Sequence, residues 1–226
     1  MISVVIPVYN EARRLPGLLA RLRAEPEAVE VIVVDGGSSD DTPSVAEDSG
    51  VSALSTGRGR GQQLAAGAEV AAGDIVLFLH ADSHFPAGGL KAITTHLANP
   101  EIIGGNFRLI FDGDSDFSRW LTGFYAWIRR LGLYYGDSGI FLRRDVLADI
   151  GGIRPIALME DYDLVRRLEA AGKTVCIDDP PLVTSSRKFE GRHPVVIFCG
   201  WLKMHFLFSL GISPDRLAAM YYGEKS

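Results

Sequence analysis

Ile75-Val76-Leu77-Phe78-Leu79-His80-Ala81-Asp82-Ser83 runs through five apolar residues and then stops on an imidazole and a carboxylate. A strand covered on both faces reads as such an unbroken apolar run, and polar residues directly after it place chemistry at its carboxyl end. Two earlier runs end the same way. Ile2 to Val8 leads into Tyr9-Asn10-Glu11, and Val29 to Val34 leads into Asp35-Gly36-Gly37-Ser38-Ser39-Asp40-Asp41-Thr42. Between them Leu15, Leu18, Leu19 and Leu22 fall at i, i+3, i+4 and i+7, one helical stripe, with Pro16 tolerable in its first turn. Helices are further expected over Thr42–Ser49, Gln62–Ala72 and Pro86–Leu97, and a third strand over Val51–Leu54. This alternation predicts an α/β fold of βαβ units with a mostly parallel central sheet.

The second half is less regular. Asn106–Phe111 and Gly139–Leu142 read as strands, and Phe117–Leu131 and Glu160–Ala171 as helices. The rings of Phe117, Trp120, Phe124, Tyr125 and Trp127 read first as core packing, otherwise as a surface for a sugar ring or a membrane. With no internal repeat or linker, the chain reads as one domain.

Composition bounds the function. A chain of 226 residues, 47% hydrophobic, is long enough for one substantial α/β core. Its formal net charge of −5 argues against a nucleic-acid partner, which calls for a basic surplus on some face. Cys176 and Cys199 lie in apolar runs without a partner at metal spacing, so they read as two buried reduced thiols. Opening directly on a strand leaves no room for a signal peptide, and a cytoplasmic protein is expected. Pro194 to Ile212 is apolar but carries Lys203 and His205, short of a membrane span. It is expected to form an amphipathic helix or helix pair that touches a membrane surface or a second copy of the chain.

In open α/β sheets ligands bind beyond the carboxyl ends of the strands, so Tyr9-Asn10-Glu11, Asp35 and His80-Ala81-Asp82 are expected to face one pocket. Asp35 could accept from a ribose or a base N–H, or serve as a turn former. His80 and Asp82, at i and i+2, suit a divalent cation bridging a diphosphate, a task that needs few protein ligands. The imidazole shifts the preference from Mg²⁺ toward Mn²⁺. Gly57-Arg58-Gly59-Arg60-Gly61-Gln62-Gln63 opens a helix. Its N-terminal N–H groups and two guanidinium forks suit an anionic diphosphate, or else it is a surface turn. It lacks the spacing of the dinucleotide fingerprint. Glu160-Asp161 puts two carboxylates in a first helical turn, where they complement the dipole or supply a general base. Gly136-Asp137-Ser138-Gly139 spells the run around a serine-protease nucleophile, yet the α/β context and the lack of a suitably placed His exclude that reading.

The ordered set Ile6-Pro7-Val8-Tyr9-Asn10-Glu11, Val34 to Thr42, His80-Ala81-Asp82, Gly139-Ile140-Phe141-Leu142-Arg143-Arg144 and Met159-Glu160-Asp161-Tyr162-Asp163-Leu164 resembles a family 2 glycosyltransferase with the GT-A fold, over roughly residues 1 to 190. The resemblance implies a nucleotide-diphosphosugar donor, a divalent metal (Mn²⁺ or Mg²⁺) and direct displacement with inversion. Carried over by position, Pro7, Tyr9, Glu11 and Asp35 hold the nucleoside, with Arg58, Arg60, Gln62 and Ala81 also on the donor side. Asp82 matches the last carboxylate of the metal motif, and His80 stands where that motif has its first Asp. Asp161 matches the catalytic base, with Glu160 beside it, and Asp137 and Ser138 lie toward the acceptor. Arg187 and Arg192 fall where a basic segment meets the leaving diphosphate, with plain surface solvation an equal contender. Residues 1–110 then form the donor half, 111–190 the acceptor half and 191–226 a helical tail. The rivals are a sugar-phosphate nucleotidyltransferase, which would want a Gly-rich cationic loop where Asn10-Glu11 stands, and a noncatalytic nucleotide-sugar-binding protein.

Overall fold

The computed structural model describes residues 1–185 and 194–223, the side chain of Pro194 excepted; Arg187 and Arg192 lie outside the described residues. The first half is built as read: β1 (Ile2–Val8), α1 (Leu15–Arg23), β2 (Val29–Asp35), α2 (Thr42–Asp48), β3 (Ser52–Ser55), α3 (Arg60–Val70), β4 (Ile75–Phe78) and α4 (Gly89–Leu97). Then follow β5 (Ile102–Phe111), α5 (Asp116–Arg129), a 3₁₀ turn (Gly136–Ser138), β6 (Ile140–Arg143), α6 (Arg144–Asp149) and α7 (Glu160–Ala171). Strand β7 (Lys173–Thr184) and helices α8 (Pro194–Ser209) and α9 (Pro214–Tyr222) complete the described chain.

The seven strands form one mixed sheet in the order β3-β2-β1-β4-β6-β5-β7. β1 pairs in parallel with β2 and β4, and β2 with β3. β6 runs antiparallel between β4 and β5, and β7 is parallel to β5 at the edge. Both faces are covered, which explains the unbroken apolar runs. On one face Val4, Ile6, Val8, Leu77 and Phe107 pack with Leu15, Leu19, Leu22, Ile93 and Leu121 from α1, α4 and α5. On the other, Val5, Ile32, Val34, Val76 and Phe78 pack with Leu64, Leu147, Leu164 and Leu168 from α3, α6 and α7. Emptying one of these fully buried leucine positions to alanine costs about 2–5 kcal/mol. A third, smaller cluster of Leu158, Met159, Met204 and Leu217 fastens α8 and α9 against the start of α7.

Four expectations need correction. Helix α4 begins at Gly89, because Gly88 adopts φ 75 and leaves Pro86 outside. Strand β7 was hidden by Asp178-Asp179-Pro180-Pro181, which reads as a turn. An edge position tolerates proline, and the register with β5 shifts between Phe107 and Leu109 to accommodate the extra residues. The cysteines are not both buried: Cys176 is half-buried and Cys199 exposed. Helix α8 is not amphipathic but apolar around its circumference, with Ile197 and Met204 buried while Val196, Leu202 and Phe206 are exposed. No helix among the described residues is long and apolar enough to cross a membrane. On α5, Tyr125 is core, but Phe117, Trp120 and Phe124 stack in a ladder that Trp201 of α8 extends, and Trp120 and Trp127 remain exposed.

Candidate active site

Strand order reverses at β1: the chain winds outward through β2 and β3, then returns to lay β4 on the other side of β1. A crevice at such a switch point opens beyond the carboxyl ends of the two strands. Here it is a cavity of about 230 Å³, walled by Pro7, Tyr9 and Glu11 after β1 and by His80, Ala81 and Asp82 after β4.

Backbone and side-chain bonds hold the loops around it. Asn10 takes a left-handed φ of 56, a conformation asparagine tolerates, and its N–H donates to Ser38 Oγ at 2.8 Å. Its Oδ1 accepts from Ser39 N–H at 2.9 Å, and Glu11 N–H donates to Thr42 Oγ1 at 2.8 Å, so the loops after β1 and β2 move as one. The Asp35 carboxylate accepts from the N–H groups of Gly37 and Ser38, both at 3.0 Å, and from the Ser38 hydroxyl. These bonds make it the former of the turn after β2. The Arg58 guanidinium stacks over the Tyr9 ring, 4.4 Å from its centroid. Gln62 points to solvent. Its neighbour Gln63 is buried and lines the cavity, donating from Nε2 to the carbonyls of Val8 at 2.8 Å and Val34 at 2.7 Å. Gln63 thus clasps the ends of β1 and β2.

A second cavity of about 330 Å³ adjoins the first, and Arg60 and His80 belong to the walls of both. Because β6 is antiparallel to β4, the 3₁₀ turn before β6 arrives at the same sheet edge and brings Tyr135 and Asp137 to this wall. Ser138 does not reach it: its hydroxyl donates to the Tyr135 carbonyl at 2.7 Å and the residue is buried. Met159 and Asp161 supply a third side, and Trp201, Met204, His205, Tyr221 and Tyr222 of α8 and α9 the rest.

Met159 holds φ 69, rare for a bulky side chain, and this turn delivers Glu160 and Asp161 at the head of α7. Glu160 is 2% exposed and ion-paired with Arg60. Asp161 lies 3.4 Å from Arg60 Nη2 and accepts from the N–H of Gly136 at 3.0 Å and of Tyr162 at 2.8 Å. Burial alone would raise the Asp161 pKa, but Arg60, the two N–H groups and His80 outweigh it and hold the carboxyl below its usual range. Burial pushes Glu160 up; Arg60 opposes the shift and the Asp161 charge adds to it. For Arg60 burial disfavours the cation, yet the two carboxylates prevail and raise its pKa. Gly136 lies close to both groups: a Cβ there would stand 2.9 Å from His80 Nε2, so the imidazole would have to shift. The arrangement can therefore offer an ionised carboxylate to a hydroxyl in one cavity while a guanidinium reaches the boundary with the other.

Residues 3–151 match glycosyl transferase family 2. The chain belongs to this family. Among curated proteins, this family 2 glycosyl transferase is 34% identical over 156 residues to an undecaprenyl-phosphate 4-deoxy-4-formamido-L-arabinose transferase of Pseudomonas fluorescens, covering 63% of this chain and 46% of the relative. It is 41% identical over 158 residues to the protein of that name from Sodalis glossinidius, covering 63% of this chain and 48% of the relative. The chain thus spans about half the length of the curated relatives it matches. Among solved structures, the mannosyltransferase PcManGT of Pyrobaculum calidifontis, in complex with GDP-Man and Mn²⁺, superposes with a TM-score of 0.68 at 20% identity, over 98% of this chain and 69% of that one. Glucosyl-3-phosphoglycerate synthase of Mycobacterium tuberculosis, in complex with Mn²⁺, UDP and glucosyl-3-phosphoglycerate, superposes at 0.65 with 20% identity, over 94% and 80%. These likenesses establish the GT-A fold of the family 2 domain.

The donor set for a metal is small. No group of three metal-binding side chains stands together among the described residues. His80 and Asp82 offer one nitrogen and one carboxylate on the first cavity's wall, which fits a cation that takes its other ligands from a diphosphate and water.

Sequence reading missed Gln63, Tyr135 and the aromatic wall from α8 and α9, and it read Tyr125 first as core. Gln63 carried a readable signal, an amide on the apolar side of an Ala-rich helix. The others are brought in by tertiary packing alone.

Proposed function

We propose that the chain transfers a glycosyl group from a nucleoside-diphosphate sugar to an acceptor hydroxyl, with inversion and with Asp161 as the general base. One observation carries the reading: two adjoining cavities share Arg60 and His80, and an ionised carboxylate stands on the wall of the second. The first cavity suits the nucleoside, on Pro7, Tyr9 and Glu11, with the diphosphate turned toward Arg60. The second suits the acceptor. Asp161 takes the acceptor proton while the acceptor oxygen bonds the anomeric carbon from the face opposite the diphosphate, whose C–O bond breaks and whose oxygens keep the electron pair. The Arg60 cation, fixed in place by Glu160, stabilises the charge growing on that group. Asp137 on the wall of the second cavity supports an acceptor-side role, and the lining of the first cavity, all from residues 1–110, supports reading that half as the donor half.

His80 and Asp82 would hold a divalent cation, which when bound would neutralise diphosphate charge. The Mn²⁺ in the complexes of the two structural neighbours supports this. Calorimetry checks it: a nucleoside diphosphate should bind more tightly with Mn²⁺ than in EDTA, and Asp82→Ala should abolish the difference. Equal affinity in both buffers would remove the metal from the account.

A further inference from the structure

Several polar groups around the second cavity present lone pairs to it. His205 Nδ1 lies 2.8 Å from the Trp201 carbonyl oxygen, which can only accept, so Nδ1 carries the ring proton. In the neutral ring Nε2 is then the acceptor, and the Tyr135 hydroxyl, 2.9 Å away, donates to it. That bond uses the phenol's one proton and leaves its oxygen as an acceptor. Tyr125 directs its own proton at Asp137 Oδ2, 3.3 Å away. Asp161 is ionised beside Arg60, with one oxygen 3.4 Å from Nη2. Around these groups stand flat rings: Trp201 packs edge-on to Tyr125 at 6.2 Å, Tyr125 to Tyr135 at 5.9 Å, and Tyr221 and Tyr222 close the wall.

We infer that the acceptor is a small, phosphate-free ring compound rich in hydroxyl groups, its apolar face on the aromatic wall and its hydroxyls donating to Tyr135, Asp137 and Asp161. The inference rests on the proposed transfer reaction, in which this cavity is the acceptor side. A polyol brings donors for the acceptor atoms of Tyr135, Asp137 and Asp161. A phosphate adds negative charge beside a wall where Glu160, Asp161 and Asp137 outnumber the Arg60 guanidinium. A volume of about 330 Å³ is at the small end of ligand cavities, enough for a single ring. The curated relatives carry undecaprenyl phosphate in their names, so this chemistry would set the chain apart from them.

Trp201 lies in the wall, so intrinsic fluorescence of the full chain reports occupancy. The probes are methyl β-D-glucopyranoside, methyl β-D-ribofuranoside and myo-inositol, titrated in parallel with glycerol 3-phosphate and inorganic phosphate. At least one polyol should give a saturable change that Trp201→Phe removes, with affinity about tenfold or more above either phosphate compound. Asp137→Asn, which removes one of the repelling charges, should narrow that margin. A phosphate compound binding as tightly as the best polyol, or no response to any polyol, would overturn the inference. Calorimetry with UDP, GDP, dTDP and CDP on the same sample separates the two readings: nucleotide binding without a polyol response sinks the acceptor class alone, and loss of both sinks the transfer reaction.

Discussion

Asp161→Asn should bind the donor nucleotide as the parent does and turn over more slowly by about 10² or more, the low end of general-base effects. The carboxamide has nearly the same outline and can still accept from the Gly136 N–H through its oxygen, so the 3₁₀ turn should stay in place. What it lacks is an anionic oxygen to take a proton. Nucleotide affinity by calorimetry and turnover by nucleoside-diphosphate release separate the two effects. Glu160→Gln should cost less, because Glu160 is buried behind Arg60 and does not line the second cavity. If Asp161→Asn turned over like the parent, the base would have to be sought at Asp137.

Arg60→Met should cost about 10² in turnover, the scale of losing one preorganised charge-stabilising group. It should also move the acid limb of the pH–rate profile upward. In the parent, Arg60 is the strongest of the groups opposing the effect of burial on Asp161, so the base stays ionised well into the acidic range. Without that cation burial prevails, the Asp161 pKa rises, and a higher pH is needed to ionise the base. The variant leaves Glu160 buried without its partner, which destabilises the fold. Arg60→Met combined with Glu160→Gln removes that penalty, and it should recover the parent's melting temperature without recovering turnover. Recovery of both would mean that Arg60 acts only through stability.

The three polar strand ends were legible because each follows an apolar run whose period leaves little choice of element, and Glu160-Asp161 as the acidic first turn of a helix. Tyr9 and Asp82 reach one cavity as the strand ends suggested, and Asp161 heads a helix on the wall of the adjoining one. Asp35 was legible as a strand end but not in its hydrogen bonding: only the folded loop shows its carboxylate closing on Gly37 and Ser38. Gln62 and Gln63 are adjacent on a helix, and a shift of one residue decides which of them faces the sheet; helix α3 begins two residues earlier than the Ala-rich pattern suggested. Ser138 was placed beside Asp137 on sequence adjacency, but a 3₁₀ turn sends the two side chains different ways. The wall of the second cavity was least legible. Tyr125, Tyr135, Trp201, His205 and Tyr222 come from four separate segments, and no periodicity within any one of them records that they meet.

The central claim is transfer from a nucleotide sugar, and nucleoside-diphosphate release tests it most directly. UDP-, GDP-, dTDP- and CDP-sugars are incubated with the full chain and Mn²⁺, beside Asp161→Asn. At least one donor should release its diphosphate faster than in buffer alone, and the variant should bind that donor while releasing it about 10² more slowly or worse. No release from any of the four classes, together with no binding of their diphosphates, would contradict the account.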